Sequence, residues 1–325
     1  MRNRRLWAPA PGQARSAITK SVSLSRRTFL GSSIGTVLPA VVPKSRVVVA
    51  RDPKARALDL LDRAMQSFFD RNSTAEAWRQ LIRPGERVGL KVNCLAGKGG
   101  STSLALVEAV CERLQQAGVK PGNIVIWDRL NEDLDRAGFR LSTASGKIRC
   151  LGNDVLGYES DLSVFGSVGS LVAKTLTQQC DAVINLPVLK DHGIVGVTMA
   201  LKNMFGAIHN PNKYHPHAGD PYVADVNALP EIRRKIRLTI CDGATAQYEG
   251  GPTYMPQWNW PFGGLLVAQD PVALDTVGWR IIEQKRAEKG MKPLKDMQRE
   301  PAYIATAARR GLGVNDPARI ERLEV

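Results

Sequence analysis

A repeated alternation of short apolar strands and amphipathic helices most constrains the fold of this 325-residue chain. The stretch RVGLKVN at 87–93 predicts a strand, apolar residues at helical spacing predict a helix over 103–117, and NIVIWD at 123–128 predicts a second buried strand. The pattern also predicts strands at 46–50, 181–186, 236–241 and 264–268, and helices at 53–71, 197–205, 223–235 and 271–284. Strand–helix–strand units favour a parallel sheet with right-handed crossovers.

We therefore expect an α/β fold with a Rossmann-like, mostly parallel sheet, in a single domain over residues 44–325. Residues 139–170 have mixed polarity and many Gly and Ser residues. This composition interrupts the alternation and predicts a β-rich or irregular insertion there.

The amino-terminal region has the layout of a twin-arginine signal. A basic segment leads into SRRTFL at 25–30, which an apolar stretch at 31–42 follows. That stretch is too short and too rich in Gly and Ser to span a bilayer as a stable helix. We predict that residues 1–43 address the chain to the twin-arginine translocase and a periplasmic location, with cleavage near Ala40 or retention as an anchor. No other segment reaches 18 apolar residues, so no membrane span is predicted in the mature body.

The net charge of +14 does not indicate a nucleic-acid-binding protein. Half of this excess lies in residues 1–43, which hold seven Arg and Lys residues and no acidic residue. The remainder is mildly basic and lacks a long Lys/Arg run, aromatic RNA-binding motifs and zinc-finger spacing. Mild basicity still favours anionic ligands.

The five cysteines are scattered and form no C-x-x-C pair. An iron–sulfur cluster needs clustered thiolates, so none is predicted. Buried small apolar side chains are the favoured interpretation of these cysteines.

All four histidines fall within 26 residues, after a predicted buried strand that ends near 186. Ligands bind at the carboxyl ends of strands in open α/β sheets, and neutral imidazole is a ligand for nickel, zinc, copper or iron. We predict His192 as a catalytic acid or base and His209, His215 and His217 as metal ligands. The alternative is that these are unrelated loop and surface histidines.

Lys202 lies in an otherwise apolar helical segment and is a candidate catalytic residue, since a semi-buried lysine can act as a base or covalent tether. The alternative is a lysine that snorkels at a helix edge. Lys190, Asn203 and Asp242 are predicted to bind a cofactor. Asp270, directly before Pro271, is expected to be a helix N-cap.

Several other motifs are absent or incomplete. The Gly-rich loop at 97–102 could hold an anion on its amides, but it lacks the G-x-x-x-x-G-K-[ST] spacing of a P-loop. There is neither a G-x-S-x-G nor an H-E-x-x-H motif, so a hydrolase triad or a zincin has no support.

The His-rich region resembles the domain-of-unknown-function 362 family. The matching elements are PVLKDH at 187–192, GVTMALKNMFG at 196–206, DPVALD at 270–275 and GERVGLKVN at 85–93. The resemblance covers nearly all of residues 45–290. Many members carry ferredoxin-type cysteine clusters, which this chain lacks, and the activity of the family is not generally established.

A more distant similarity is to the amino-terminal domain of nickel-dependent lactate racemase. That domain looks like a Rossmann-type sheet with a catalytic His and, ten residues later, a Lys that holds a nickel-pincer cofactor. His192 and Lys202 stand ten residues apart. The racemase pattern also needs an earlier catalytic His, and this chain has none before residue 192. The similarity therefore implies a cofactor or metal pocket rather than a two-base racemisation.

Together these features predict an exported metal- or cofactor-dependent enzyme with a His/Lys pocket. A periplasmic protein that binds a metal without catalysis is one alternative. A solute-binding module for anions, with Lys190, Lys202 and the 97–102 loop as its site, is the other.

Overall fold

A large central sheet organises residues 44–325, which are the residues that the computed structural model describes. The predicted twin-arginine signal lies outside the described residues. The strands are β1 (Ser45–Arg51), β2 (Val88–Val92), β3 (Ile124–Asp128), β4 (Arg149–Gly152), β5 (Ser163–Phe165), β6 (Val168–Ser170), β7 (Ala182–Leu186), β8 (Val188–His192), β9 (Gly196–Val197), β10 (Ile236–Gln247), β11 (Asn259–Trp260), β12 (Gly264–Ala268) and β13 (Ile320–Glu324).

The helices flank this sheet. They are α1 (Ala57–Phe69), α2 (Thr74–Leu81), α3 (Leu104–Gln116), α4 (Asn131–Arg136), α5 (Asn153–Leu156), α6 (Lys174–Gln179), α7 (Ala200–Asn203), α8 (Tyr222–Ala228), α9 (Pro230–Arg233), α10 (Pro271–Glu288) and α11 (Tyr303–Arg309). None of these helices in residues 44–325 combines the length and apolar character needed to cross a membrane.

The sheet is mostly parallel, which confirms the predicted α/β fold. Its strand order is β13-β1-β12-β10-β7-β2-β3-β4. Neighbours from β10 to β4 are all parallel, as are β13 and β1. Only β12 runs against both of its neighbours, β1 and β10. The segment between β10 and β12 contains no α-helix, and an antiparallel neighbour needs no helical crossover.

The strands carry continuous apolar runs because both faces of the sheet are covered. Val48 packs with α1, α2 and α3 on one face, whereas Val47 and Val49 pack with α8, α10 and α11 on the other. Side chains alternate between the two faces of a strand, so each face needs its own apolar set.

Two predicted helices are shorter in the structure. The helix expected at 223–235 divides into α8 and α9 at Leu229, whose extended backbone precedes Pro230. Proline disfavours helical geometry in the residue before it. The helix expected at 197–205 begins only at Ala200, because 196–197 form β9, and it continues as a 3₁₀ turn over Met204–Ala207.

The region 139–170 is only in part an insertion. Its Arg149–Gly152 segment is β4, the edge strand of the central sheet, paired in parallel with β3. The β5–β6 hairpin forms a separate two-stranded sheet and accounts for the predicted β-rich character.

Candidate functional site

A cavity of about 470 Å³ opens at the carboxyl ends of β2, β3 and β8. This is the edge where ligands bind in open α/β sheets, and the volume suits a small organic molecule. The helical segment after β9 closes one side. The polar side chains that line the cavity include Lys91, Asn93, Asp128, Arg129, Asp133, Lys190, His192, Thr198, Lys202, Asn203 and His215.

Lys190, the middle residue of β8, is buried and fully hydrogen-bonded. Its Nζ donates to Asn93 Oδ1 at 3.0 Å, to the Gly100 carbonyl at 3.0 Å and to the Pro252 carbonyl at 3.4 Å. Burial lowers its pKa to about 8. An ammonium has three hydrogens, and each of them has an acceptor here. Lys190 therefore connects two loops to β8, and it contributes positive charge to the cavity but no free hydrogen-bond donor.

Lys202, on α7, is also buried, but its amine has no polar partner among residues 44–325. Its Nζ lies 4.0 Å from the centre of the Phe205 ring. Burial, together with the nearby charges of Lys190, Arg129 and Lys91, lowers its pKa to about 7. Near neutral pH a large share of Lys202 therefore carries a free electron pair, which an ordinary lysine with a pKa near 10.4 does not.

His192, the last residue of β8, has its Nδ1 atom occupied as an acceptor. The backbone N–H groups of Ile194 and Val195 donate to it at 3.1 and 3.3 Å. A backbone amide can only donate, so the ring hydrogen of the neutral imidazole is on Nε2. Burial, together with the nearby positive charge of Lys202, lowers the pKa of His192 to about 2. The ring is therefore a neutral hydrogen-bond donor at Nε2, and its catalytic role as an acid or base stays a prediction.

His215 holds its ring hydrogen on the opposite nitrogen. Its Nδ1 atom lies 3.1 Å from the Asn212 carbonyl, which can only accept, so Nδ1 carries the hydrogen and Nε2 carries the free electron pair. The ring is half-buried and stacks on His192 with centroids 5.6 Å apart. Burial lowers the pKa of His215, which keeps it neutral at physiological pH. His215 is therefore the imidazole in this cavity that can accept a proton.

The carboxylates that line the cavity are already neutralised. Asp128 Oδ1 forms an ion pair with Lys91 Nζ at 2.6 Å, and Asp133 Oδ1 forms one with Arg136 Nη2 at 2.6 Å. Arg129 lines the cavity without an ion-pair partner in the described part of the chain. With Lys202 and the charge of Lys190, it gives the cavity an excess of positive charge that suits an anion.

Asn203 lines the cavity, but its side-chain amide is hydrogen-bonded to residues beneath the cavity. Its Nδ2 donates to Asn185 Oδ1 at 2.7 Å, and its Oδ1 accepts from Asn93 Nδ2 at 3.0 Å. It therefore fixes α7 against β2 and β7 instead of offering a free amide to a cofactor.

Asp242 does not line the cavity, contrary to the prediction that it binds a cofactor. Its Oδ2 accepts from the backbone and the hydroxyl of Ser103, and its Oδ1 accepts from the Ala244 amide. Asp242 fixes the start of α3 to β10.

The buried Asp275 of α10 sets the position of α7. Its two carboxylate oxygens accept the backbone N–H groups of Ala200 at 2.7 Å and Leu201 at 3.0 Å. These are unpaired amides at a helix start, which need an external acceptor when buried. Burial raises the pKa of Asp275 to about 7. The position of Lys202 thus depends on a residue 73 positions later in the chain.

The structure does not bring His209, His215 and His217 together as a metal site. His215 lines the cavity, whereas His209 packs edge-on against Tyr158 and His217 is exposed. Within residues 44–325, no three His, Cys, Asp or Glu side chains are placed to hold a metal ion. A bare metal cation does not fit the cavity, because Arg129 and Lys190 would repel it and, among the described residues, His215 offers the one free imidazole lone pair there.

Sequence reasoning missed Arg129 and Asp128, although both lie at the end of β3 beside the predicted edge. Ligands bind at the carboxyl ends of strands in open α/β sheets, and this rule applies to the end of β3 as much as to the segment after β7. Asp275 was noticed as part of the DPVALD element, but its contact with α7 has no local signal in the sequence.

The comparisons with known proteins agree with the sequence motifs. The model of a family described as a domain of unknown function (DUF362) matches residues 88–280. A thylakoid-associated protein of Synechocystis is 29% identical over 248 residues, which are 73% of this chain and 71% of that protein.

Two solved structures are similar at 9% identity and a TM-score of 0.43 each. One is a protein from Thermotoga maritima, with 71% of this chain and 59% of that chain covered. The other is the lactate racemase apoprotein from Thermoanaerobacterium thermosaccharolyticum, with 73% and 57% covered. This chain thus spans less than three fifths of the length of either solved chain.

Proposed function

Because this chain belongs to the DUF362 family, whose description leaves the activity open, we propose a function from the chemistry of the cavity. The protein binds a small organic anion and transfers a proton on it. The observation that carries this proposal is the buried amine of Lys202, which has no polar partner among residues 44–325 and lies beside two neutral imidazoles that offer opposite hydrogen-bonding groups.

The ligand is anionic because the cavity has cationic side chains that form no ion pair within the described chain. Asp128 and Asp133 are already paired, whereas Arg129 and Lys202 have no acidic partner in the described chain. A carboxylate or phosphate can accept from the Arg129 guanidinium in a bidentate manner. The low polarity around Lys202 strengthens its interaction with an anion when the amine is protonated.

The two histidines have different roles in the proton transfer, one as a proton acceptor and one as a hydrogen-bond donor. His215 accepts a proton on Nε2, and His192 donates a hydrogen bond from Nε2–H to the oxygen on which negative charge develops. A neutral donor of this kind stabilises an oxyanion without losing its own proton. The stacking of the rings places both groups on one wall of the cavity.

A cofactor remains part of this proposal only in anionic organic form. Arg129 and Lys202 would hold its negatively charged groups, as they would those of a substrate. Such a cofactor would supply an electron sink or a carrier group that these side chains lack.

Binding of defined anions to the full-length protein tests the proposal. We expect propionate, lactate or inorganic phosphate to bind, as measured by calorimetry, and Arg129→Met and Lys202→Met to weaken that binding. The matched control is Arg140→Met, at an exposed arginine outside the cavity lining, which should leave binding unchanged. If none of these anions binds, or if both cavity variants bind like the unaltered protein, the proposal is wrong.

His215→Gln separates an enzyme from a binding protein. Glutamine keeps a polar side chain but accepts no proton at neutral pH, so exchange of the substrate C–H hydrogen with solvent deuterium should stop while anion binding persists. Binding to the unaltered protein with no exchange of any bound acid would instead support the alternative of an anion-binding protein without catalysis.

We also propose export through the twin-arginine translocase, on the strength of the SRRTFL motif at 25–30. A double change, Arg26→Lys and Arg27→Lys, keeps the charge and alters only the arginine pair. We expect it to leave the protein in the cytoplasmic fraction, whereas the unaltered chain reaches the periplasmic fraction. Equal distribution of the two forms would overturn this proposal.

A further inference from the structure

The two buried lysines of the cavity differ in one respect that points to a specific reaction. Lys190 has three oxygen acceptors around its Nζ, while the Nζ of Lys202 faces an aromatic ring and the cavity. A lysine that served only as a charge would gain from the kind of oxygen acceptors that surround Lys190. Lys202 is instead buried without an oxygen acceptor in the described chain and lies near the charges of Lys190, Arg129 and Lys91, which favours its uncharged amine.

We propose that the Nζ atom of Lys202 forms a reversible imine with the carbonyl carbon of an oxo-carboxylate bound in the cavity. This inference rests on the proposed function, because the same cations hold the carboxylate. It adds a substrate class, namely small acids with an aldehyde or ketone group, and a covalent step.

Each group needed for imine formation lines the cavity. The free amine of Lys202 attacks the carbonyl carbon, a C–N bond forms, and the C=O electron pair moves to oxygen. The Nε2–H of His192 donates a hydrogen bond to that oxygen as its negative charge develops. Arg129 holds the carboxylate, which fixes the orientation of the carbonyl group.

The proton transfers of the step balance through His215. Its Nε2 takes a proton from the nitrogen of the first adduct and passes it to the oxygen, which gives a carbinolamine and returns His215 to its neutral form. The hydroxyl then leaves as water with one further proton from solvent, and the nitrogen lone pair closes the C=N bond. The net reaction is amine plus carbonyl plus one proton to iminium plus water.

Borohydride trapping tests the inference on the full-length protein. Pyruvate and glyoxylate are the probes, and peptide mass spectrometry locates the adduct. We expect Lys202 to gain the mass of the acid less one oxygen atom, because reduction fixes the imine as a secondary amine. Incorporation should increase with pH and level off above about 7, in accord with the pKa of the amine.

Matched controls separate a specific imine from random lysine chemistry. Lys202→Arg keeps a positive charge but removes the amine nucleophile, so we expect trapping to be lost even at pyruvate concentrations raised to saturate this variant. Lys98, exposed in the 97–102 loop, provides an internal reference lysine that should stay unlabelled. Acetone lacks the carboxylate and should give no adduct at the same concentration.

The outcomes distinguish this inference from the proposed function. If pyruvate binds, as judged by its competition with propionate, but Lys202 gains no mass after borohydride, Lys202 is only an anion contact. The inference then fails and the proposed function stands. If pyruvate, propionate, lactate and phosphate all fail to bind, both fail. Labelling of Lys98 or Lys190 to the same extent as Lys202 would also overturn the inference.

Discussion

His192 and His215 stack with ring centroids 5.6 Å apart and present opposite hydrogen-bonding groups to one cavity. The Ile194 and Val195 amides hold the ring hydrogen of His192 on Nε2, while the Asn212 carbonyl holds that of His215 on Nδ1. Two rings of the same residue type thereby take complementary roles, one as a donor and one as an acceptor.

The tautomers give a prediction that needs no substrate. We expect ¹⁵N NMR to show an unprotonated Nδ1 in His192 and an unprotonated Nε2 in His215. Because burial lowers the pKa of His192 to about 2, its ring should not titrate between pH 5 and 8. A His192 signal that titrates near pH 6.5 would contradict this assignment.

Lys202→Met should raise stability. The pKa of Lys202 is about 7 in the folded protein and 10.5 in the reference state, so the unfolded chain binds more protons between these values. The cost of the buried charge is therefore fully present below about pH 7 and disappears as the pH rises above 10.5. Denaturant unfolding at pH 6 should show a gain on the order of a few kcal/mol, which should shrink at pH 9.

Lys190→Met should have the opposite effect. It removes the donor for Asn93 Oδ1 and the Gly100 and Pro252 carbonyls, and it leaves these groups without their partner. An unsatisfied buried polar group costs about 1–3 kcal/mol, so the melting temperature should fall. The comparison of the two Lys→Met variants controls for side-chain size, and equal shifts in both would show that hydrogen bonding does not distinguish these lysines.

Asp275→Asn should loosen α7. An amide offers one acceptor oxygen where the carboxylate offers two, so the N–H of either Ala200 or Leu201 loses its partner. We expect faster hydrogen exchange of these two amides and, at pH 5, where Asp275 carries only part of its buried-charge cost, a loss of about 1–3 kcal/mol in the free energy of unfolding. Asp270→Ala is the control. It removes the N-cap of α10 and the acceptor of the Ser45 hydroxyl and the Val314 amide, so it should cost about 1 kcal/mol or more without faster exchange in α7.

The pKa of Asp275 also predicts a pH dependence. Because burial raises it to about 7 from 3.8, the folded protein binds more protons than the unfolded chain between these values. The contribution of Asp275 to stability is therefore greatest below about pH 4 and decreases as the pH rises to 7. In Asp275→Asn this part of the pH dependence should vanish, which unfolding curves at pH 5 and 7 can measure.

Much of the fold was predictable because it depends on local patterns. Apolar runs such as NIVIWD at 123–128 match β3 within a residue, and Asp270 caps α10 as its position before Pro271 predicted. The antiparallel pairing of β12 and the place of Arg149–Gly152 in the central sheet were not predictable, because strand neighbours depend on contacts between distant segments.

For the site, the sequence by itself determined part of the cavity lining at the sheet edge. It selected Lys190, His192, Lys202 and His215 from strand ends and composition, and all four line one cavity. Only the tertiary structure decided what each can do, because chemistry depends on the partner of each polar atom. The Nζ atom of Lys190 is hydrogen-bonded to oxygen acceptors, whereas that of Lys202 has no such acceptor in the described chain. Backbone groups determine opposite tautomers for His192 and His215.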